Sequence, residues 1–265
     1  MLKAGITLVA VALLAAILGP LVTPYDPSHQ EIALRLASPT TLHPFGLDEL
    51  GRDILARVLA GARISFFVGL TVVSVSAIVG TMFGALAGYF GGVLDDFISR
   101  VIDILLAFPG LLLAIAIVAV LGPSLVNVLV ALTLIGWVGY ARLIRGQVLR
   151  TREFEYVLAA RAVGARAARI LWRHVIPAAV PALIVQATLG MAGAIIGEAS
   201  LSFLGLGVQP PTPSWGTMLN GGRAHILDAP HLTIFPGLAI VLLVLGFNFL
   251  GDGLRDRLDP RTQAG

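Results

Sequence analysis

Six apolar segments, at about 4–22, 65–89, 98–121, 125–143, 183–204 and 232–250, constrain the fold of this chain more than any motif in it. Each reaches the length of about 20 residues that crosses a hydrocarbon core of about 30 Å. Backbone amides and carbonyls find no water to bond in lipid, so the spans are expected as helices; no barrel-like alternation is present. The chain is 57% hydrophobic and 12% charged, against about 25% charged in a soluble domain. That leaves too little polar surface to face water, and a bilayer must be the solvent. The expected fold class is all-α: a polytopic membrane protein of about six transmembrane helices, with residues 1–265 as a single transmembrane domain. Pro109 and Pro236 are expected to produce local kinks, because helices in a bundle tolerate proline.

The first segment follows Lys3 and resembles a signal peptide in outline, but it exceeds the usual apolar core of about 7–15 residues. Gly19-Pro20 is also a poor cleavage context, so an uncleaved helix is expected. Orientation follows from arginine. Arg142, Arg145, Arg150, Arg152, Arg161, Arg166, Arg169 and Arg173 face only Glu153 and Glu155 in one stretch. The positive-inside rule makes the loop 144–178 cytoplasmic. Six spans then leave both termini inside, in keeping with Lys3, Arg255, Arg257 and Arg261, and put loops 23–63 and 205–231 outside. The same rule accounts for the sequence pI of about 9.8 without nucleic acid as a partner; membrane lipid is the partner expected.

Small residues recur four apart at Gly80, Gly84 and Gly88, and a similar set stands at Gly190, Gly193 and Gly197. Residues so spaced share a helix face, and their lack of side chains permits close packing against another helix. In the loop after the fifth span, the prolines of Gln209-Pro210-Pro211-Thr212-Pro213-Ser214-Trp215-Gly216 exclude regular helix. Trp215 suits a place at the membrane interface.

Catalytic chemistry is not supported. Lys3 is the only lysine, so no P-loop lysine can reach a bound phosphate, and any ATP must be held by a partner. There is no cysteine, no pair of histidines at metal-ligand spacing on a helix, and no nucleophile elbow. His225 and His231 with Asp228 are a weak metal candidate, and no metal or other cofactor is expected on this chain. Polar groups at membrane depth are few: Asp103, Asn127, Gln186 and Glu198 are the candidates for lining a pathway, with packing inside the bundle as the alternative. Asn248 is a further one. Their scarcity argues against a proton relay.

In the arginine-rich loop, 153–163 reads as a short helix, Gly164 as a left-handed turn, and 165–175 as a second helix stopped near Pro177. The first is short and alanine-rich, which suits a knob inserted into a groove on another protein. A basic amphipathic helix on anionic lipid is the alternative.

This loop resembles the inner-membrane permease subunits of ATP-binding-cassette importers. Their signature, E-A-A, three residues, G, nine residues, I-x-L-P, aligns with Leu158-Ala159-Ala160, Gly164 and His174-Val175-Ile176-Pro177. Leu158 replaces the glutamate and His174 the isoleucine, while Glu155 supplies an acidic group one turn earlier. His43-Pro44-Phe45-Gly46-Leu47-Asp48-Glu49-Leu50-Gly51-Arg52-Asp53 resembles the LGTD-xx-GRD segment of dipeptide, oligopeptide and nickel permeases. Gly61-Ala62-Arg63-Ile64-Ser65, Ala107-Phe108-Pro109, Tyr140-Ala141-Arg142, Glu198-Ala199-Ser200-Leu201-Ser202-Phe203 and Gly251-Asp252-Gly253-Leu254-Arg255-Asp256 extend the likeness, which is nearest the second, or C-type, permease.

The resemblance implies a type I importer permease in a bacterial or archaeal cytoplasmic membrane. It would pair with a second permease, two cytoplasmic ATPases that hold ATP and magnesium, and an extracytoplasmic solute-binding protein. Glu155, Ala159, Ala160, Gly164 and Pro177 would couple the chain to an ATPase. The implied substrates are peptides, with nickel chelates or haem as alternatives. A stand-alone secondary transporter or channel is the competing function; its usual inverted repeats are not evident.

Overall fold

The structure, a computed structural model, describes residues 1–258; Arg261, one of the residues used for orientation, lies outside the described residues. Five helices are long and apolar enough to cross a membrane, and six if a bent pair is counted as one span. The single helices are α1 (Leu2–Val22), α2 (Ile54–Phe90), α5 (Leu125–Thr151), α8 (Ile176–Phe203) and α10 (His231–Leu258). The bent pair is α3 (Gly92–Leu106) and α4 (Gly110–Leu121), inclined at 86° to each other. Segment 98–121, expected as one kinked span, is therefore broken rather than kinked. Proline disfavours a helical conformation at Phe108 and brings no amide of its own, so α3 ends before it and α4 starts after it.

The centre of the bundle is the pair α2 and α5. Gly80, Gly84 and Gly88 step along α2 one turn apart, against the backbone of α5 at Trp137, Ala141 and Arg145. A Cβ at Gly80 would stand 2.5 Å from the Trp137 carbonyl oxygen and one at Gly88 2.9 Å from that of Arg145. These glycines let two backbones touch, as their spacing predicts. The other triplet behaves differently. Gly190 accommodates the Tyr140 hydroxyl and Gly197 the Leu132 side chain, but a Cβ at Gly193 would meet nothing within 4 Å.

On one flank α1 lies against α10, with Gly5 on the Leu250 backbone and Gly253 on Leu2. Arg63 of α2 donates to the carbonyls of Ala16 at 2.6 Å and Ile17 at 3.1 Å, satisfying acceptors in the last turns of α1. Beyond α1 the chain folds down onto the start of α2. Asp53 caps α2 by accepting from the Ala56 amide at 2.7 Å and takes the His43 ring on its other oxygen at 2.8 Å. Asp48 accepts from Arg52 at 2.7 Å and lies 3.4 Å from Arg57, with both arginines buried. Burial of charge is tolerable here because each group is paired.

At the opposite end of the bundle, α6 (Glu155–Ala162) and the single turn α7 (Ala167–Ile170) cross the ends of the long helices. A π-helical turn, Leu171–Val175, then leads directly into α8. The helix expected to stop near Pro177 thus continues through it. Pro177 falls within the first two positions of α8, where a missing amide costs little, and Pro181 is accepted one turn later.

After α8 the proline-rich loop runs to α9 (Trp215–Gly222), which begins with a capping box between Ser214 and Thr217. Trp215 is buried, not placed at the membrane interface as expected. Its Nε1 donates to the Val58 carbonyl at 2.9 Å, so protein rather than headgroup satisfies it.

Candidate functional site

Two places in the fold carry candidate functional residues: the α6 end of the bundle and a cavity at mid-span. At the first, α6 is held by one side only. Val157 is fully buried in a cluster with Ala85, Ile144, Val148, Ile170, Leu171 and Val175. Tyr156 donates to the His174 carbonyl at 3.4 Å, and Arg161 lies over the Tyr89 ring at 5.9 Å. The other side is bare: Leu158, Ala159, Ala162 and Val163 are exposed, Val163 at 84%.

Gly164 follows with φ of +79°, and a Cβ there would meet nothing within 4 Å. Its requirement for glycine is thus one of backbone conformation alone, in the left-handed region that β-branched residues avoid. Glu155 opens α6, where a carboxylate complements the exposed amides of the first turn. Ala160 is half-buried beneath the knob and Pro177 lies in the first turn of α8, so the five sequence candidates share one end of the molecule without forming one surface.

The cavity lies between α2, α4, α5 and α8 and encloses about 360 Å³. Ser76, Gly136, Tyr140, Gln186, Gly193 and Ser200 contribute to its wall, together with Gly110 and Leu111 at the start of α4. Ser76 and Gly193 sit near the middle of α2 and α8, so the cavity lies about midway along these two helices. Its volume falls within the range of small-molecule sites, about 300–1,000 Å³.

Of the four polar candidates, only Gln186 reaches this cavity. Glu198 is fully buried on the neighbouring face of α8, where its Oε1 accepts from Ser202 at 2.6 Å. Asn127 donates to the carbonyls of Leu121 at 3.0 Å and Gly122 at 2.8 Å, closing the turn between α4 and α5. Asp103 is exposed on α3. His225 pairs with Asp228 at 2.9 Å, whereas His231 is buried against Gly46, so the three do not converge. Among the described residues, no three metal-ligating side chains come together.

Sequence reasoning did not single out Ser76, Gly110 or Gly136. A serine and a glycine at mid-span are ordinary packing residues until the helices that bear them are placed side by side.

The family described as the binding-protein-dependent transport system inner membrane component matches residues 80–264. The chain is 46% identical over 260 residues to the dipeptide transport system permease protein DppC of Alkalihalophilus pseudofirmus, covering 98% of this chain and 86% of that protein. It is 48% identical over 242 residues to the glutathione transport system permease protein GsiD of Pectobacterium atrosepticum, covering 91% of this chain and 80% of that one. Among solved structures, the inward-facing MetNI methionine ABC transporter superposes with a TM-score of 0.59 over 77% of this chain and 96% of that chain. At 20% identity that likeness speaks to the fold alone. An apolar helix pair broken at Pro109, a one-sided knob at the bundle end and these relatives agree: the chain belongs to the binding-protein-dependent inner membrane component family and is a permease of an ABC importer.

Proposed function

We propose that this permease forms half of the translocation pathway of a peptide importer, paired with a second permease and driven by two partner ATPases. The observation that carries the energy-coupling part is α6. Its buried Val157 face ties it to the ends of α2, α5 and α8, and its exposed Leu158, Ala159 and Val163 face is free to enter a cleft on an ATPase. Closure of the ATPase dimer on ATP would then move α6 and the helices packed on it. In thermodynamic terms nucleotide favours one of two global states, and α6 transmits the bias.

The arginine-rich end is the cytoplasmic one in this reading, with both termini on the same side. Segments 23–53 and 205–231, at the other end, receive substrate from an extracytoplasmic binding protein. The chain holds no nucleotide itself. Kinship at 46–48% identity with dipeptide and glutathione permeases supports short peptides as the substrate class.

The test is reconstitution in liposomes with the partner permease, ATPases and binding protein. Uptake of labelled dialanine is expected to require ATP and the binding protein, and the tagged chain to retain the ATPases through purification. Uptake that persists after ATP depletion, with no ATPase retained, would refute this reading.

A further inference from the structure

We propose that Gln186 reads the peptide bond of a substrate in transit, its side-chain amide exchanging hydrogen bonds with the peptide N–H and carbonyl at the junction of two cavities. The proposal rests on the peptide-importer reading and gives it a chemical contact.

A second cavity, of about 540 Å³, lies between α5, α8 and the end of α10, on the arginine-rich side of the first. The two are successive parts of one groove. On α5, Gly136 and Tyr140 line the mid-span cavity, and Leu143 and Gln147 line the second. On α8, Gly193 and Gly190 line the first, and Ala182 and Ala178 the second. Steps of three or four residues keep each set on a single helix face, so the groove follows both helices. Among the described residues, Gln186 alone lines both cavities.

At this level the two helices exchange side chains. The Tyr140 hydroxyl enters the space left by Gly190 and donates to the Gln186 carbonyl at 3.5 Å. In return, the Gln186 side-chain nitrogen lies over Gly139, 3.7 Å from where a Cβ would stand. A carboxamide offers two donor hydrogens and an acceptor oxygen. Among the described residues, this one has no hydrogen-bond partner. An amide group half-buried among apolar side chains is normally paired within the fold. Left unpaired over a groove, it is available to whatever passes along it.

The walls decide what can be recognised here. Among the described residues, no aspartate, glutamate, lysine, arginine or histidine lines the mid-span cavity, and charge first appears beyond Gln186, at Arg150 and Arg255. Neither charged terminus of a peptide therefore has a counter-ion at Gln186. The peptide group does have a counterpart: its N–H matches the side-chain oxygen and its carbonyl the side-chain amide. Surroundings of low dielectric strengthen both bonds. Every short peptide carries this group whatever its side chains are. A contact with it admits peptides generally and disfavours molecules of the same size that lack it. Pairing between neutral groups also keeps the contact weak enough to release, as a pathway requires.

Uptake of labelled dialanine and of its ketomethylene isostere, in which CH2 replaces the peptide N–H, is compared in liposomes bearing the full complex. The same binding protein is used throughout, so its own preference cancels between variants. Gln186→Met keeps the length of the side chain and removes its amide donors and oxygen acceptor. It is expected to lower the dialanine-to-isostere uptake ratio about fivefold relative to wild type, the effect of one hydrogen bond, while the complex still purifies with its ATPases. Gln186→Ala, which adds no bulk, should lower the ratio equally and replaces the methionine variant if that one fails to assemble. A wild-type ratio in an assembled variant, whether both uptakes hold or both fall together, overturns the assignment while leaving the importer reading in place. Absence of ATP-dependent dialanine uptake by the wild-type complex overturns the peptide reading itself, and the Gln186 contact with it.

Discussion

Trp215 donates to the carbonyl of Val58 at 2.9 Å, and its ring rests on Gly61, where a Cβ would stand 2.8 Å from the ring Cδ1. This contact seats the start of α9 between α2 and α8. Gly216, the next residue, lies against Ala199 and Ser202 of α8. Gly61→Val must push the ring away, at a cost of about 1–3 kcal/mol. Trp215→Phe keeps an aromatic ring but gives up the hydrogen bond, for about 1 kcal/mol. Melting temperatures of the purified protein in detergent should show both losses, and the double variant should lose less than their sum, because the two changes act on one contact. Additive losses would mean that the ring and Gly61 do not act together.

The conformation at Gly164 leads to a test of coupling. With φ at +79° and open space around it, this position resists substitution through its backbone alone. Left-handed conformation costs an ordinary residue about 1–2 kcal/mol, and asparagine less. Gly164→Val should therefore displace α6 and raise the ATP hydrolysed per dialanine taken up, while Gly164→Asn should stay close to wild type. Equal coupling in both variants would remove α6 from the drive train. Measured in the same liposomes, the ratio separates this effect from poor assembly, which would lower hydrolysis and uptake together.

Arg145 holds Asp95 in a two-pronged pair, Nε to Oδ1 at 2.5 Å and Nη2 to Oδ2 at 2.8 Å, and so ties the first turn of α3 to α5. The pair is part-exposed, so its worth is modest, about 0.5–1 kcal/mol. Arg145→Lys loses the fork and should free the start of α3, which limited proteolysis between Phe90 and Asp96 would detect. A cleavage rate unchanged from wild type would show that the apolar cluster of Ala87, Ile98 and Ile102 suffices to hold α3.

Much of this architecture is legible in the sequence, for identifiable reasons. Apolar length marks a span regardless of its neighbours, and the spacing of Gly80, Gly84 and Gly88 marks a face wherever the partner helix comes from. Gly164 announces its own backbone conformation. Expectation and structure part where context decides. Pro109 breaks its helix while Pro177, Pro181 and Pro236 are absorbed in theirs, because a proline early in a helix or beside packed neighbours loses little, whereas Pro109 stands between Phe108 and a glycine. Trp215 has the composition of an interface anchor and the position of a core residue. The cavity is invisible at the level of sequence, since Ser76, Gly136 and Gln186 belong to three helices and nothing local to any of them reports the other two.

Glu198 gives the last test, because its sequence setting suggests a pathway residue and its surroundings suggest a strut. The carboxyl is fully buried, with Oε1 accepting from Ser202 Oγ at 2.6 Å, and the same hydroxyl accepts from the Val208 amide at 3.3 Å. That chain of bonds fastens the loop after α8 to the helix, on the face beside the cavity. Glu198→Gln keeps an acceptor oxygen for Ser202 and should leave dialanine uptake within about twofold of wild type. Glu198→Leu removes the acceptor and strands the Ser202 hydroxyl in a buried site, for about 1–3 kcal/mol of stability. Its signature should be a lower melting temperature with little change in uptake per folded complex. If instead Glu198→Gln abolishes uptake while the melting temperature holds, the carboxylate itself serves transport, and the pathway must take in that face of α8.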